Sequence, residues 1–258
     1  MEQPSNYIDI SKVRTFDEIF KDTQLFFTYN WKPFFFLLFL YVGPFLFYFQ
    51  YEFSNFIVPI LEHIQNGALT FEIAPKFVIT LSILGFISFS LFQGISYSFI
   101  TQYQTNKDTS YSAVMAHFNQ HLVLYISATL VSASLLLFGF MLYVIPGVIL
   151  FFPLHFYVYD RLIHKGTFVE TISRIFAMIK QNVKITVGTI ISIHVLLLIV
   201  QFILSLLFSS VTAEFSIASM FINVILSIAT MGISVIPIVF LYHTIYKKTY
   251  ENTSNTML

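Results

Sequence analysis

Residues 122–159 read LVLYISATLVSASLLLFGFMLYVIPGVILFFPLHFYVY, 38 positions in a row without Asp, Glu, Lys or Arg. A helix rising 1.5 Å per residue crosses roughly 30 Å of hydrocarbon with about 20 apolar residues, so this run is too long for one crossing. Pro146-Gly147, just beyond its middle, is a turn signal. The run therefore reads as two spans, 122–144 and 146–163. The second extends past Asp160 and Arg161, whose long or polar side chains are expected to snorkel to the interface.

Working outward, similar runs lie at 33–51, 77–100, 185–210 and 215–246. Six spans make an all-α polytopic bundle, read as a single integral membrane domain covering 1–258. Its orientation follows from the basic residues, which concentrate in cytoplasmic loops. Lys12, Arg14, Lys21, Lys32, Lys107, Arg161, Lys165, Arg174, Lys180, Lys184, Lys247 and Lys248 all fall on one side of a six-span path. Only Lys76 falls on the other, beside Glu52, Glu62, Glu72 and Glu214. Both termini are thus expected in the cytoplasm, with membrane lipids as the surrounding partner.

Composition agrees. The chain is 57% hydrophobic and 10% charged, whereas a soluble domain carries roughly 25% charged residues to keep its surface wet. The 32 Phe residues suit lipid contact. Zero net charge removes the electrostatic footprint of a nucleic-acid binder. The absence of Cys excludes disulfides, thiolate metal sites and a cysteine nucleophile. Acidic residues before the first apolar run, including Asp9, Asp17 and Glu18, argue against a cleaved signal peptide.

Two amphipathic segments, 15–29 and 167–181, are expected to lie in the cytoplasmic interface. Phe16, Ile19, Phe20, Thr23 and Phe27 share a face of the first; Phe168, Ile172, Ile175, Phe176 and Ile179 share a face of the second. Packing on the protein's own loops is the other reading. Each opens on a capping box, Thr15 with Glu18 and Thr167 with Glu170. Each closes on an asparagine and a lysine: Asn30 and Lys32 in one, Asn182 and Lys184 in the other, at a constant offset of 152 residues. The asparagine is expected to end the surface helix and the lysine to sit at headgroup level. A weaker third echo, Asn119-Gln120-His121, precedes span three, so two or three interfacial helices are expected. The pattern suggests helical hairpins repeated in parallel, a motif met in transporters.

From Pro146 onward the chain reads IPGVILFFPLHFYVYD and then TFVETISRIFAMIKQN. This pattern, a Pro-Gly turn, an apolar span with a second proline and an amphipathic stretch ending Lys-Gln-Asn, resembles the membrane domain attached to some glycerophosphoryl diester phosphodiesterases. It is also similar to stand-alone six-span bacterial membrane proteins of that group. The resemblance implies a bacterial cytoplasmic (inner) membrane. It implies no hydrolase activity, because no hydrophilic segment is long enough for the soluble catalytic domain.

The candidate binding residues are polar groups inside the spans: His194 and Gln201, seven apart on span five, with Gln93, His155 and Asn223. A polar or ionisable residue at that depth marks a site by default, while its commoner role is interhelical hydrogen bonding worth about 0.6 kcal/mol on average. Ser90, Gly94 and Ser98 form a small-residue stripe expected at a helix contact. No catalytic motif, cofactor signature or metal site is recognised. His117 and His121 lack a carboxylate or cysteine nearby, and only a meeting of His155, His194 and His243 would suggest chemistry. Two functions remain open: an accessory or assembly partner of a larger membrane complex, and a small-molecule or lipid transporter.

Overall fold

The computed structural model describes residues 8–65, 75–142, 144–207 and 217–251, and among them every regular element is an α-helix. These are α1 (Phe16–Tyr41), α2 (Gly43–Gln65), α3 (Pro75–Thr105), α4 (Tyr111–Gln120), α5 (Leu122–Leu142), α6 (Val144–His164), α7 (Phe168–Gln181), α8 (Val183–Leu207) and α9 (Ile217–Tyr250). Glu72, Glu214 and the adjoining ends of the expected fifth and sixth spans lie outside the described residues, as do the side chains of Glu62 and Ser205. Four helices, α3, α5, α8 and α9, are long and apolar enough to cross a bilayer, and α1 with α2 makes a fifth if that bent pair counts as one. α6 matches α5 in length but falls short in apolarity, because His155, Asp160 and Arg161 dilute it.

The first span differs from the expected 33–51. α1 runs without interruption from residue 16 to residue 41 and passes Asn30, Lys32 and Pro33. Asn30 is buried, and its amide donates to the Phe26 carbonyl at 3.1 Å instead of ending the helix. Edge-to-face contacts of Phe26 and Phe27 with Phe34 bind the two halves together across that point. The chain breaks later, at Val42-Gly43-Pro44, where Pro44 has no N–H to offer the preceding turn, and α2 leaves at 51° to α1. The second segment does end where expected: Asn182 caps α7 and α8 starts at Val183. α4 likewise ends on His121 just before α5.

Both capping boxes form. The faces turned inward are nevertheless rotated from the apolar faces read off the sequence. Ile19, Thr23, Phe26 and Asn30 are buried on α1; Thr171, Ile175 and Met178 are buried on α7 and Asn182 is half-buried. These two stripes stand 152 residues apart, position for position. Phe16, Phe168 and Phe176 remain exposed. Asn182 repeats the bond of Asn30, donating to the Met178 carbonyl at 3.0 Å, and also reaches Thr249 Oγ1 on α9.

α5 and α6 form a close hairpin. A Cβ on Gly139 would fall 2.9 Å from Leu150 and 3.1 Å from the backbone of Gly147, so the approach requires glycine there. α9 is the shared strut, packed against α1, α2, α6, α7 and α8, and it is buried without a gap from Val235 to Ile245.

Two ion pairs grip that buried half. Arg14, 1% exposed, donates to Asp22 at 2.8 Å and to the carbonyls of Asp9, Ile10 and Lys12, with its guanidinium 4.2 Å from the centre of the Phe240 ring. Asp160 does not snorkel. It is fully buried, accepts two hydrogen bonds from Arg174 Nε at 3.0 and 3.2 Å and one from Nη2 at 2.5 Å, and takes a fourth from Tyr242 Oη at 2.7 Å. The side chain is short and points into the helix bundle, so it finds a partner where a longer one reaches solvent. Asp22 and Arg174 occupy equivalent positions on α1 and α7, so the two pairs have opposite sense.

Asp160→Leu should destabilise the protein strongly, by roughly 3 kcal/mol, since it strands a half-buried guanidinium. Asp160→Leu with Arg174→Met should recover part of that loss in thermal unfolding of the purified protein; no recovery would show that the pair is not what holds α7. On α3, Gly94 faces the rings of Phe118 and Tyr125, which a Cβ would meet at 2.5–3.1 Å, whereas Gly188 on α8 has nothing within 4 Å. Gly94→Leu is expected to cost roughly 1–3 kcal/mol by overpacking, and Gly188→Ala to be neutral or slightly stabilising.

Candidate functional site

A cavity of about 350 Å³ lies between α3, α5, α6, α8 and α9. Most of its wall is apolar, from Phe89, Phe92, Leu136, Leu154, Val235 and Ile238. Its polar groups are Gln93 and Tyr97 from α3, Ser132 from α5, His155 from α6, His194 from α8 and Ser234 from α9. Among the described residues no Asp, Glu, Lys or Arg lines it.

Helical periodicity explains why each helix contributes what it does. Gln93 and Tyr97 are one turn apart on the buried face of α3, and Thr129 Oγ1 on α5 donates to Gln93 Oε1 at 3.0 Å. His155 and His194 meet with ring centres 5.2 Å apart and edge to face, and Phe151 contacts both rings. Each imidazole Nδ1 bonds to the carbonyl one turn back, Phe151 at 2.7 Å and Ile190 at 2.8 Å. Ser132 Oγ is buried without a hydrogen-bond partner.

Three of the five polar residues singled out from the sequence, Gln93, His155 and His194, therefore come together. The other two do not. Gln201 is exposed on the far part of α8 and reaches Thr230 Oγ1 at 3.5 Å; Asn223 is half-buried on α9 and does not line the cavity. His243 also stands outside it, its Nε2 2.9 Å from Tyr159 Oη, so the three histidines do not form one cluster. Among the described residues no group of three His, Cys, Asp or Glu could hold a metal ion.

Ser132, Tyr97 and Ser234 were not singled out beforehand. Tyr97 had a signal, its four-residue spacing from Gln93; serines in apolar helices are too common to stand out. From Tyr97 an aromatic column leads through Tyr159, 5.1 Å away, to Tyr242 and the Asp160–Arg174 pair. A larger hollow, about 580 Å³, separates α1 from the α8–α9 pair, but it is almost wholly apolar, with only Thr23, Gln24 and Thr28 at one edge. It holds none of the convergent polar groups that fix a ligand's orientation.

The residues expected at the interface lie outside this cavity. Thr15 with Glu18, and Thr167 with Glu170, close their capping boxes. The Thr167 backbone N–H holds the Glu170 carboxyl below the usual carboxylate range. Lys32 Nζ lies 5.8 Å from the centre of the Trp31 ring, and Lys184 is exposed at the start of α8. At the end of α4, the His117 and His121 rings meet at a 30° tilt with centres 4.4 Å apart, and His117 Nδ1 joins a chain through Ser98 Oγ to Tyr125 Oη, each link 3.0 Å. The small-residue stripe on α3 thus seats α4 and α5: Gly94 takes their rings and Ser98 their polar tips.

No family model, curated protein or solved structure matches the chain. What the fold and cavity define is a class: a cysteine-free chain whose described residues form an all-α bundle with four or five membrane-length helices.

Burial, helped by the neighbouring His121, pushes His117 down from 6.5 to about 4. A lowered histidine favours the neutral ring in the fold, so its contribution is present above pH 6.5 and lost as pH falls toward 4. Melting temperature should drop across that window, and His117→Gln should shallow the drop. Superimposable acid profiles for the two proteins would contradict this.

Proposed function

We propose that this chain is a six-span protein of a bacterial cytoplasmic membrane that binds, and carries across or within the bilayer, a small and largely apolar molecule. The carrying observation is the convergence of Gln93, His155 and His194, from three helices, on one cavity. Isolated polar side chains serving only as interhelical glue have no reason to share a hollow; a ligand gives them one. This favours the transporter reading over the accessory-partner reading, for which no particular surface speaks. Among the described residues no set with catalytic geometry speaks for an enzyme.

Several features support the membrane setting. In the most apolar stretch of α8 only 17% of residues are buried; Leu198 and Phe202 are each 64% exposed and Val123 is 80% exposed. Apolar surface on that scale needs a lipid or protein cover. α6 follows α5 closely in the chain and packs back along it, which supports counting it as the sixth span despite its polar end. The basic residues then favour cytoplasmic termini. The matched stripes of α1 and α7 support hairpins repeated in parallel. The resemblance to the phosphodiesterase-linked membrane domains points to the same membrane.

The test is mass spectrometry of the protein extracted from native membranes. A small molecule should copurify at about one per chain, with His194→Leu depleting it at least tenfold and Gln201→Leu leaving it in place. A stoichiometric protein partner with no small molecule would instead support the accessory role and overturn this one.

A further inference from the structure

Resting on that binding role, we infer that the cavity holds its ligand through a hydroxyl group, which donates to a histidine nitrogen and accepts from the Gln93 amide. A backbone carbonyl can only accept, so the bonds from His155 Nδ1 to Phe151 and from His194 Nδ1 to Ile190 require the proton on Nδ1 in both rings. In a neutral imidazole the other nitrogen is then a bare acceptor. In that form both histidines keep Nε2 as an acceptor, and both rings line the hollow.

Gln93 supplies the complementary group. Its Oε1 is occupied by the Thr129 hydroxyl, which leaves the amide NH₂ as its unused end. Ser234 has its proton committed to the Met231 carbonyl at 2.6 Å, so it can only accept. Donors and acceptors on the wall of one cavity suit a group that does both at one atom. A hydroxyl does; an ether oxygen only accepts. A carboxylate or phosphate would be buried with no cation on the wall, at a large desolvation penalty. The remaining wall is hydrocarbon and aromatic, so the rest of the ligand is apolar, and 350 Å³ is near the small end of ligand cavities. The ligand class is a neutral, single-chain or compact alcohol, or the hydroxyl end of a larger neutral lipid.

The full chain in lipid nanodiscs provides the test, with calorimetric titration at pH 8 of three probes of equal chain length: 1-decanol, decyl methyl ether and decanoate. Ala133→Trp, which fills the cavity from α5, corrects for partition into lipid. Decanol should bind about tenfold more tightly than the ether, an affinity gap of about 1.4 kcal/mol, and decanoate should not bind measurably. His155→Phe with His194→Phe should abolish the preference while both neutral probes still bind the apolar wall. If that double variant fails to fold, the alcohol-to-ether ratio in the unaltered protein decides alone. Equal affinities would overturn hydroxyl recognition while leaving the cavity a binding site. Decanoate binding as tightly as decanol would overturn the neutral-ligand assignment. No cavity-dependent binding of decanol would overturn the inference outright, while the copurification experiment judges the binding role separately.

Discussion

Asp160 is a carboxylate with no access to solvent, and much of the architecture is arranged around keeping it partnered. An unpaired charge in such a place costs several kcal/mol, far more than a single helix contact returns. Arg174 must therefore stay in reach, which docks the amphipathic α7 onto the end of α6. Tyr242 must stay in reach as well, which fixes the register of α9 against α6. The second pair, Arg14 with Asp22, does the same for α1 and ties the segment from Ile8 to Arg14 beneath α9, where Ile8 N–H meets Tyr103 Oη and Arg14 N–H meets Thr244 Oγ1.

With its C-terminal half held from two sides, α9 becomes a fixed wall. Met231, Ser234, Val235 and Ile238 form its share of the cavity, on the N-terminal side of Phe240, Tyr242 and Thr244, which the two ion-paired arginine and aspartate groups contact. The contrast in chemistry along α9 is physical. At 34 residues it is about 51 Å long, well beyond the roughly 30 Å of a hydrocarbon core. In the proposed membrane setting the ion pairs belong to the end nearest the headgroups and the neutral cavity to the deeper part. Charges sit where desolvation is cheaper; hydrogen-bonding groups without charge sit where it is not.

The two amphipathic helices show how one pattern leads to two local outcomes. Asn30 and Asn182 make the same bond to the carbonyl one turn back. Beyond Asn30 the chain continues as helix because Phe34, Phe35 and Phe99 form an aromatic cluster with Phe26 and Phe27. Beyond Asn182 the side chain has a second obligation, to Thr249 on α9, and the helix breaks. An asparagine at a helix end is permissive, and the neighbours decide.

The helical character, the hairpin at residues 122–164 and the two capping boxes were legible in the sequence, because each depends on residues within about two turns of one another. So was the poverty of charge that leaves so much apolar surface uncovered. Only the tertiary structure decided that Gln93, His155 and His194 converge while Gln201 and Asn223 do not, that Asp160 is buried, and that α1 is one helix. Periodicity gives the face of a helix on which a side chain stands, but the neighbour opposite that face is set by packing between elements far apart in the chain. Gln93 and His194 stand about a hundred residues from each other, and no local preference carries information over that distance.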